Sequence, residues 1–230
     1  MSDTGVTFSV QEFVEGTGLN QLARASAGAD AALAGQAVGR VLAAIGTMSF
    51  SASGFFDDNL APTGTPRADA TILRYVQDRM IAGPDASALQ PDIRSRFLAV
   101  LEAGLLTLPD LGAQTTLVDG DFNPKNILIR RDSGGWHVAA ILDWEFAFSG
   151  TPLWDIANML RHRDDYNPEF CSSLMEGFLA NGGDLPHYWE RAGRIIDSVN
   201  LAEFLARGPS HRFYQFAHRR ITSIAEASHF

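Results

Sequence analysis

The sequence has little of two residue types: among its 230 residues it contains one cysteine, Cys171, and one lysine, Lys125. A single cysteine excludes a disulfide bond within the chain and is typical of proteins from a reducing compartment. The first residues have neither the basic nor the apolar segment of a signal peptide, and no apolar run is long enough to cross a membrane. We therefore expect a cytoplasmic protein without a membrane partner.

Positive charge is also scarce, since 18 lysine and arginine residues stand against 27 aspartate and glutamate residues, which gives a formal net charge of −9. Non-specific nucleic-acid binding requires a basic surface, so no nucleic-acid partner is expected. The acidic balance suits a cationic small molecule instead. The Gly-x-Ser-x-Gly turn of serine hydrolases is missing, and the six histidines have no spacing typical of metal ligands.

The pattern that is present is mostly helical. Apolar residues recur at helical spacing in seven segments, which are 30–46, 68–82, 91–106, 153–162, 168–181, 186–206 and 210–227. Alternation at 7–14 predicts a short strand, which glycines within 15–18 are expected to end, and 47–66 is predicted as loop with a short hairpin. Residues 115–144 contain three short apolar runs, and Ser133-Gly134-Gly135 predicts a hairpin turn between the second and third. We predict an α+β fold, mostly α, with a small β-hairpin platform.

Three polar residues stand where these central runs begin or end. Asp121 follows the first run, Asn126 comes five residues later at the start of the second, and Asp143 ends the third. In phosphoryl-transfer enzymes a catalytic-loop Asp accepts the substrate hydroxyl proton, an Asn five residues on holds Mg²⁺, and a later Asp holds metal against the nucleotide phosphates. The spacing favours those roles here. The alternative is that all three are ordinary turn residues.

Asp155 follows Pro152 near the start of a predicted helix. An acid there is favoured simply because it faces the unpaired amides and the positive end of the helix dipole. The functional interpretation is that Asp155 reaches back and accepts hydrogen bonds from the backbone of the catalytic loop. Spacing alone leaves both interpretations open.

A phosphatase is a second enzymatic hypothesis. Asp119-Gly120-Asp121 matches the Asp-x-Asp of haloacid-dehalogenase-like phosphatases, in which the first Asp is the nucleophile. That chemistry also needs a downstream lysine against the phosphate, and none follows Lys125. A phosphatase of this kind would also continue as a Rossmann-like domain, whereas this chain continues as helices. Asp119→Asn would abolish a phosphatase and spare a kinase.

The motifs resemble the signature of a known family. Asp121–Leu128, Ile141–Glu145 and Gly150–Ala157 resemble the aminoglycoside phosphotransferase family, a bacterial branch of the protein-kinase-like fold with choline kinases as relatives. Val10–Gly16 resembles the hinge strand of that family, and Gly54-Phe55-Phe56 resembles a segment found in some members. The resemblance runs from about residue 7 to at least residue 162.

The resemblance implies a protein-kinase-like C-terminal lobe. Residues 1–16 would be a hinge-like remnant of a small lobe, and residues 17–230 would form the C-lobe. Within the C-lobe, the catalytic loop would span 117–130, the metal-binding segment 138–155 and the helical substrate-binding tail 156–230. The chain would transfer the γ-phosphoryl group of ATP or GTP to a hydroxyl of a small molecule, such as an aminoglycoside, macrolide, amino alcohol or sugar.

The resemblance also implies a role for each site residue. Asp121 would be the base and Asp155 the brace of the catalytic loop, while Asn126 and Asp143 would hold Mg²⁺. The backbone of Glu12 and of Val14 would contact adenine. Separately from the resemblance, charge alone suggests a pocket for a cationic substrate, lined by the acids Glu145, Asp164, Asp165 and Glu169.

Two departures from the family stand out. Asp119 occupies the position where the family usually has histidine, and two carboxylates so close should raise the pKa of Asp121 unless Asp119 faces away. The sequence also has no counterpart of the small lobe, with its glycine-rich loop and strand lysine. Two explanations are favoured: a misassigned start or truncated sequence, or a non-catalytic remnant. Both are better explanations than a second chain that supplies the lobe.

The missing lobe supports a non-enzymatic alternative, in which a kinase-like C-lobe binds a ligand or a protein without turning over ATP. Apolar surface left uncovered by the lobe would also favour a homo-oligomer.

Overall fold

The computed structural model describes residues 12–24, 28–63, 69–82, 89–109 and 111–230. Its helices are α1 Leu19–Ala23, α2 Gly28–Ile45, α3 Asp69–Ala82, α4 Pro91–Leu105, α5 Leu153–Leu160, α6 Pro168–Ala180, α7 Trp189–Ala206 and α8 Tyr214–Ala227. Its strands are β1 Thr17–Gly18, β2 Gly54–Phe55, β3 Thr116–Val118, β4 Ile127–Asp132, β5 Gly135–Ile141 and β6 Phe148–Gly150. The predicted α+β fold, mostly helical, is confirmed.

The predicted helices agree with the structure within a few residues, except at two N-termini. α7 begins at Trp189 rather than 186 because the Trp189 amide first closes a turn on the Pro186 carbonyl. α8 begins at Tyr214 rather than 210 because a turn occupies the preceding residues, in which the Tyr214 amide donates to the His211 carbonyl. Neither turn changes which helix faces reach the core.

The strand predicted at 7–14 is described by the structure only in its last three residues. Residues 7–11 lie outside the described residues, and 12–14 form no regular structure. A strand that the sequence did not predict, β1, pairs antiparallel with β4 at the point where the sequence predicted a break. A Cβ at Gly16 would lie 3.0 Å from the Leu128 Cβ. Glycine there therefore allows the backbone to approach β4 closely rather than turning it away.

Two three-stranded antiparallel sheets bracket the loop of residues 119–126. One has the order β1-β4-β5 and the other β2-β6-β3. Since β3 enters the loop and β4 leaves it, each end of the loop is fixed by a different sheet. The β4–β5 hairpin turns at the predicted Ser133-Gly134-Gly135, and its open end pairs Ile127 with Ile141. The loop is thus held at both ends by strand pairing.

The helical body packs most closely where α2 crosses α6. Gly35 and Gly39 on α2 and Gly177 on α6 face the backbone of the opposite helix, and a Cβ at any of the three would come within 2.5 Å of a backbone atom. Small residues at this crossing permit the backbones to meet, and the neighbouring apolar side chains then close into the core. Among the described residues, no helix is both long and apolar enough to span a membrane.

Candidate active site

The loop between β3 and β4 turns sharply at Gly120. Its φ is +84°, and a Cβ there would lie 2.4 Å from the Phe146 carbonyl oxygen. A side chain at this position would therefore be strained by the backbone and would also clash with the segment that follows β5. Glycine allows the loop to fold against that segment, which contains Asp143.

Asp121 lies on this loop, and two asparagines hold its carboxylate. The Asn123 Nδ2 donates to Asp121 Oδ1 at 2.9 Å, and the Asn126 Nδ2 donates to Asp121 Oδ2 at 2.9 Å. Both amides also donate to the Asp121 carbonyl, at 2.6 and 3.1 Å. The Lys125 ammonium lies 3.5 Å from Oδ2, and 28% of the Asp121 side chain remains exposed. The carboxylate is oriented by donors yet still accessible to a small substrate.

Asp155, at the first turn of α5, binds the backbone of the loop. Its Oδ2 accepts from the Asp119 amide and its Oδ1 from the Gly120 amide, each at 2.9 Å. The side chain is fully buried, and burial is the main cause that raises its pKa to about 7. One turn later, the Asn158 Nδ2 donates to the Gly120 carbonyl at 2.8 Å. Helix α5 therefore fixes both sides of the turn that presents Asp121.

Asp119 lies beneath the loop. Its side chain is 0% exposed, and its Oδ1 accepts from the Asp121 amide at 2.9 Å. No donor in the described part of the chain reaches its Oδ2. The pKa of Asp119 is raised to about 6, mainly by burial and to a smaller extent by the charges of Asp121 and Asp143. A buried nucleophile that faces the loop backbone is poorly placed for attack on a phosphate ester.

Asn126 and Asp143 both lie at the open end of the β4–β5 hairpin. The Leu142 amide donates to the Asn126 carbonyl at 2.8 Å, so the residue that precedes Asp143 is bonded directly to Asn126. Asp143 is exposed and has a φ of +63°, a left-handed conformation that aspartate tolerates better than most residues. Since the Asn126 amide nitrogen is engaged by Asp121, its Oδ1 is the atom left to bind a cation.

The donors at this hairpin end fit a hard divalent cation, because both are oxygens. In the part of the chain that the structure describes, no group of three or more His, Cys, Asp or Glu side chains could hold a metal ion. Magnesium is commonly held by one or two protein ligands together with water and substrate phosphates. A site made of Asn126 and Asp143 would suit that mode of binding.

Some of the predicted site residues do not lie together in the structure. Glu12 is exposed and Val14 half-buried, in the irregular segment before β1. Of the four acids suggested for one pocket, Asp164 lines a cleft between α5, α7 and α8, whereas Asp165 pairs with Arg24 at 3.7 Å. Glu145 and Glu169 do not line that cleft.

Sequence reasoning missed two residues at the site, Asn123 and Asn158. The Asn123 side chain binds both the Asp121 side chain and the Lys125 amide. In the sequence, however, Asn-Pro is typical of an ordinary turn. Asn158 follows Asp155 by three residues on a helix, which places both on one face. The three-residue spacing from Asp155 could therefore have identified Asn158 as a site residue.

The raised pKa of Asp119 predicts a pH-dependent stability. Because its pKa is about 6 in the folded state and about 3.9 in an unfolded chain, the folded protein binds the extra proton between those values. This stabilisation is complete below about pH 4 and is lost as the pH rises through about 6. Urea unfolding should therefore show the wild type losing stability relative to Asp119→Asn, which stays neutral, as the pH rises. A difference that is constant with pH would contradict this prediction.

The chain is similar to known proteins both in sequence pattern and in fold. The chain matches the model of the phosphotransferase enzyme family (APH) over residues 1–193. A comparison with curated protein sequences finds no match.

Solved structures of similar fold include a thermostable mutant of aminoglycoside phosphotransferase APH(4)-Ia in its apo form. That match has 18% identity and a TM-score of 0.66, and it covers 94% of this chain and 70% of that one. A variant of the same mutant in ternary complex with ADP and hygromycin B has 17% identity and a TM-score of 0.64, with coverages of 94% and 69%. Macrolide 2'-phosphotransferase MphH from Brachybacterium faecium has 19% identity and a TM-score of 0.54, with coverages of 93% and 67%.

At these identities the structural likeness establishes the fold, while the family model covers most of the chain. The chain belongs to the phosphotransferase enzyme family.

Proposed function

We propose that this protein transfers the γ-phosphoryl group of ATP or GTP to a hydroxyl of a small molecule. The observation that carries the proposal is the Asp121 carboxylate, which two asparagines orient and which remains open to solvent at the turn between β3 and β4. A base in this position can accept a hydroxyl proton during transfer. Support also comes from the related aminoglycoside phosphotransferase that holds ADP together with hygromycin B.

The proposal assigns a task to each residue around Asp121. Asn123 and Asn126 hold its two carboxylate oxygens, so that the base meets the substrate hydroxyl in one orientation. Asp155 holds the Asp119 and Gly120 amides, and thereby fixes the turn from below. Positioning is the main contribution that a protein makes to phosphoryl transfer, because the reaction requires the attacking and leaving oxygens to be in line.

Asn126 and Asp143 are the residues that would hold Mg²⁺. When bound, the ion would neutralise charge on the nucleotide phosphates. Asp143, two residues after β5, is exposed, so a nucleotide can approach it. We place the adenine against the backbone of Glu12 and Val14, in the segment that leads into β1.

The alternative, a kinase-like module that binds without catalysis, keeps one observation in its favour. Asp121 already has a cationic neighbour, since the Lys125 ammonium lies 3.5 Å from its Oδ2 and would compete with a substrate hydroxyl for that atom. The two functions differ in turnover and can be separated by a transfer assay.

The assay incubates the chain with ATP labelled in its γ-phosphate, Mg²⁺ and a panel of aminoglycosides, macrolides, amino alcohols and sugars. We expect the label to move onto a hydroxyl of at least one class, and removal of Mg²⁺ by a chelator should stop the transfer. A folded chain that transfers label to no compound, and only binds one, would support the binding module instead.

A further inference from the structure

A cleft of about 230 Å³ lies between α5, α7 and α8 and the short helical turn Arg163–Asp165. Apolar residues line part of it, among them Leu160, Trp189 and Ile224. Four arginines line it: Arg161, Arg163, Arg194 and Arg220. In a chain whose net charge is −9, this concentration of guanidinium groups in one concave site is unusual.

Two of the three acids in the cleft are already engaged by arginine. Asp197 binds the Arg161 Nε at 2.6 Å, in a pair that is almost fully buried. Glu190 is shared by Arg163 and Arg194, each at 3.5 Å. Each guanidinium carries five N–H groups, and a single carboxylate cannot occupy all the donors of two arginines. Most of these donors therefore remain free.

The remaining two charged residues differ in what they offer. Asp164 is exposed on the rim, and it is the one acid of the cleft without an arginine partner in the described part of the chain. Arg220, on α8, has no acidic partner among the same residues. An entering cation would thus meet a single available carboxylate. An entering anion would meet Arg220 and the unused donors of Arg163 and Arg194, in the forked geometry that suits carboxylate and phosphate.

The cleft is also connected to the catalytic loop. Arg161 donates to the Asn158 Oδ1, and Asn158 donates in turn to the Gly120 carbonyl beside Asp121. A ligand that touches Arg161 is therefore separated from the loop by one side chain. Asn200 adds contacts to Asn158 and Asp197, which makes the connection a network rather than a single bond.

We infer that this cleft binds a small molecule carrying a carboxylate or phosphate group, held by Arg220 with Arg163 and Arg194, with the apolar part of the molecule against Trp189. This preference is opposite to the one suggested by the net charge of the chain. The anionic group belongs either to the phosphoryl acceptor itself or to a separate ligand that acts on the loop through Arg161 and Asn158. The binding claim stands apart from nucleotide chemistry and can be tested without ATP.

The test uses three probes with the same hydroxylated ring and different charge: 4-hydroxyphenylacetate, tyrosol and tyramine. Their affinities for the full chain are measured by calorimetry or ligand-observed NMR without nucleotide. We expect the acid to bind about tenfold more tightly than neutral tyrosol, and tyramine to bind most weakly, because the acid gains charge-assisted hydrogen bonds. Phenyl phosphate should bind like the acid.

Variants locate the binding. Arg220→Gln and Arg194→Gln should each lower the affinity for 4-hydroxyphenylacetate about tenfold. Arg219→Gln is the matched control, because Arg219 is exposed on the same helix and does not line the cleft, so its affinity should be unchanged. The inference is overturned if tyramine binds as tightly as the acid, if neither anion binds, or if Arg220→Gln and Arg194→Gln leave the affinity of the acid unaltered.

Addition of labelled ATP and Mg²⁺ then identifies the source of the anion. Label transferred to 4-hydroxyphenylacetate would place the anionic group on the acceptor, whereas binding without transfer would assign it to a separate ligand. Both results support the cleft. If no compound in the wider panel accepts label, the proposed reaction fails while the binding result is unaffected.

Discussion

Replacing Asp121 with asparagine is expected to lower kcat for phosphoryl transfer by about 10²- to 10⁴-fold, the usual contribution of a general base. The change is nearly isosteric, and the side chain is partly exposed, so the fold should persist. The amide cannot accept a proton at neutral pH, and its NH₂ group would face either Asn123 or Asn126, both of which are donors at present. The measurement is steady-state label transfer, beside the melting temperature of each variant.

Asp119→Asn is the control for this loss. The asparagine Oδ1 can still accept from the Asp121 amide, so the loop should keep its shape and kcat should change much less than in Asp121→Asn. The same variant would abolish a phosphatase that uses Asp119 as nucleophile. If Asp121→Asn retains full kcat while Asp119→Asn loses it, the assignment of the base is wrong.

The largest effect on stability is expected from Gly39→Ala. A Cβ at Gly39 would lie 2.0 Å from the Leu174 carbonyl oxygen and 2.6 Å from the Phe178 amide nitrogen, so α2 and α6 would have to separate. Backbone atoms of a packed helix cannot rotate away as a side chain can. We expect a loss of about 2–4 kcal/mol in the free energy of unfolding, measured by urea denaturation.

Gly193→Ala is the matched control, since Gly193 also lies inside a long helix. Its added Cβ would meet the Ala157 Cβ at 3.7 Å, which is an ordinary contact. Alanine is favoured over glycine in a helix interior, so this variant should gain about 0.5–1 kcal/mol. Equal shifts of the two urea midpoints in the same direction would contradict the packing described for α2 and α6.

The sequence predicted the helices and the central hairpin because both leave a local pattern. Asp121, Asn126 and Asp143 could be found for a similar reason, since a short loop and the hairpin after it bring them near one another in space. The β1 strand could not be predicted from local pattern, because its pairing with β4 depends on residues more than a hundred positions away.

Other features depend on contacts between distant helices. The glycines at 35 and 39 lower helix propensity, and only their contact with α6 explains them. The arginine cleft combines residues from α5, α7 and α8, and each arginine looks like an ordinary surface charge in the sequence. In the sequence, Asp119 is simply an acid next to the base. Only its burial and its hydrogen bond from the Asp121 amide identify it as a support for the loop.

Calorimetric titration of the folded 230-residue chain with ATP, with and without Mg²⁺ and beside Asp143→Asn, shows whether the chain carries a working nucleotide-phosphate site. Asp143 is exposed at the end of β5, so the variant should fold normally. We expect binding that requires Mg²⁺ and that Asp143→Asn abolishes. Absence of ATP binding by the folded wild type, or binding that neither the metal nor the variant alters, would contradict this expectation.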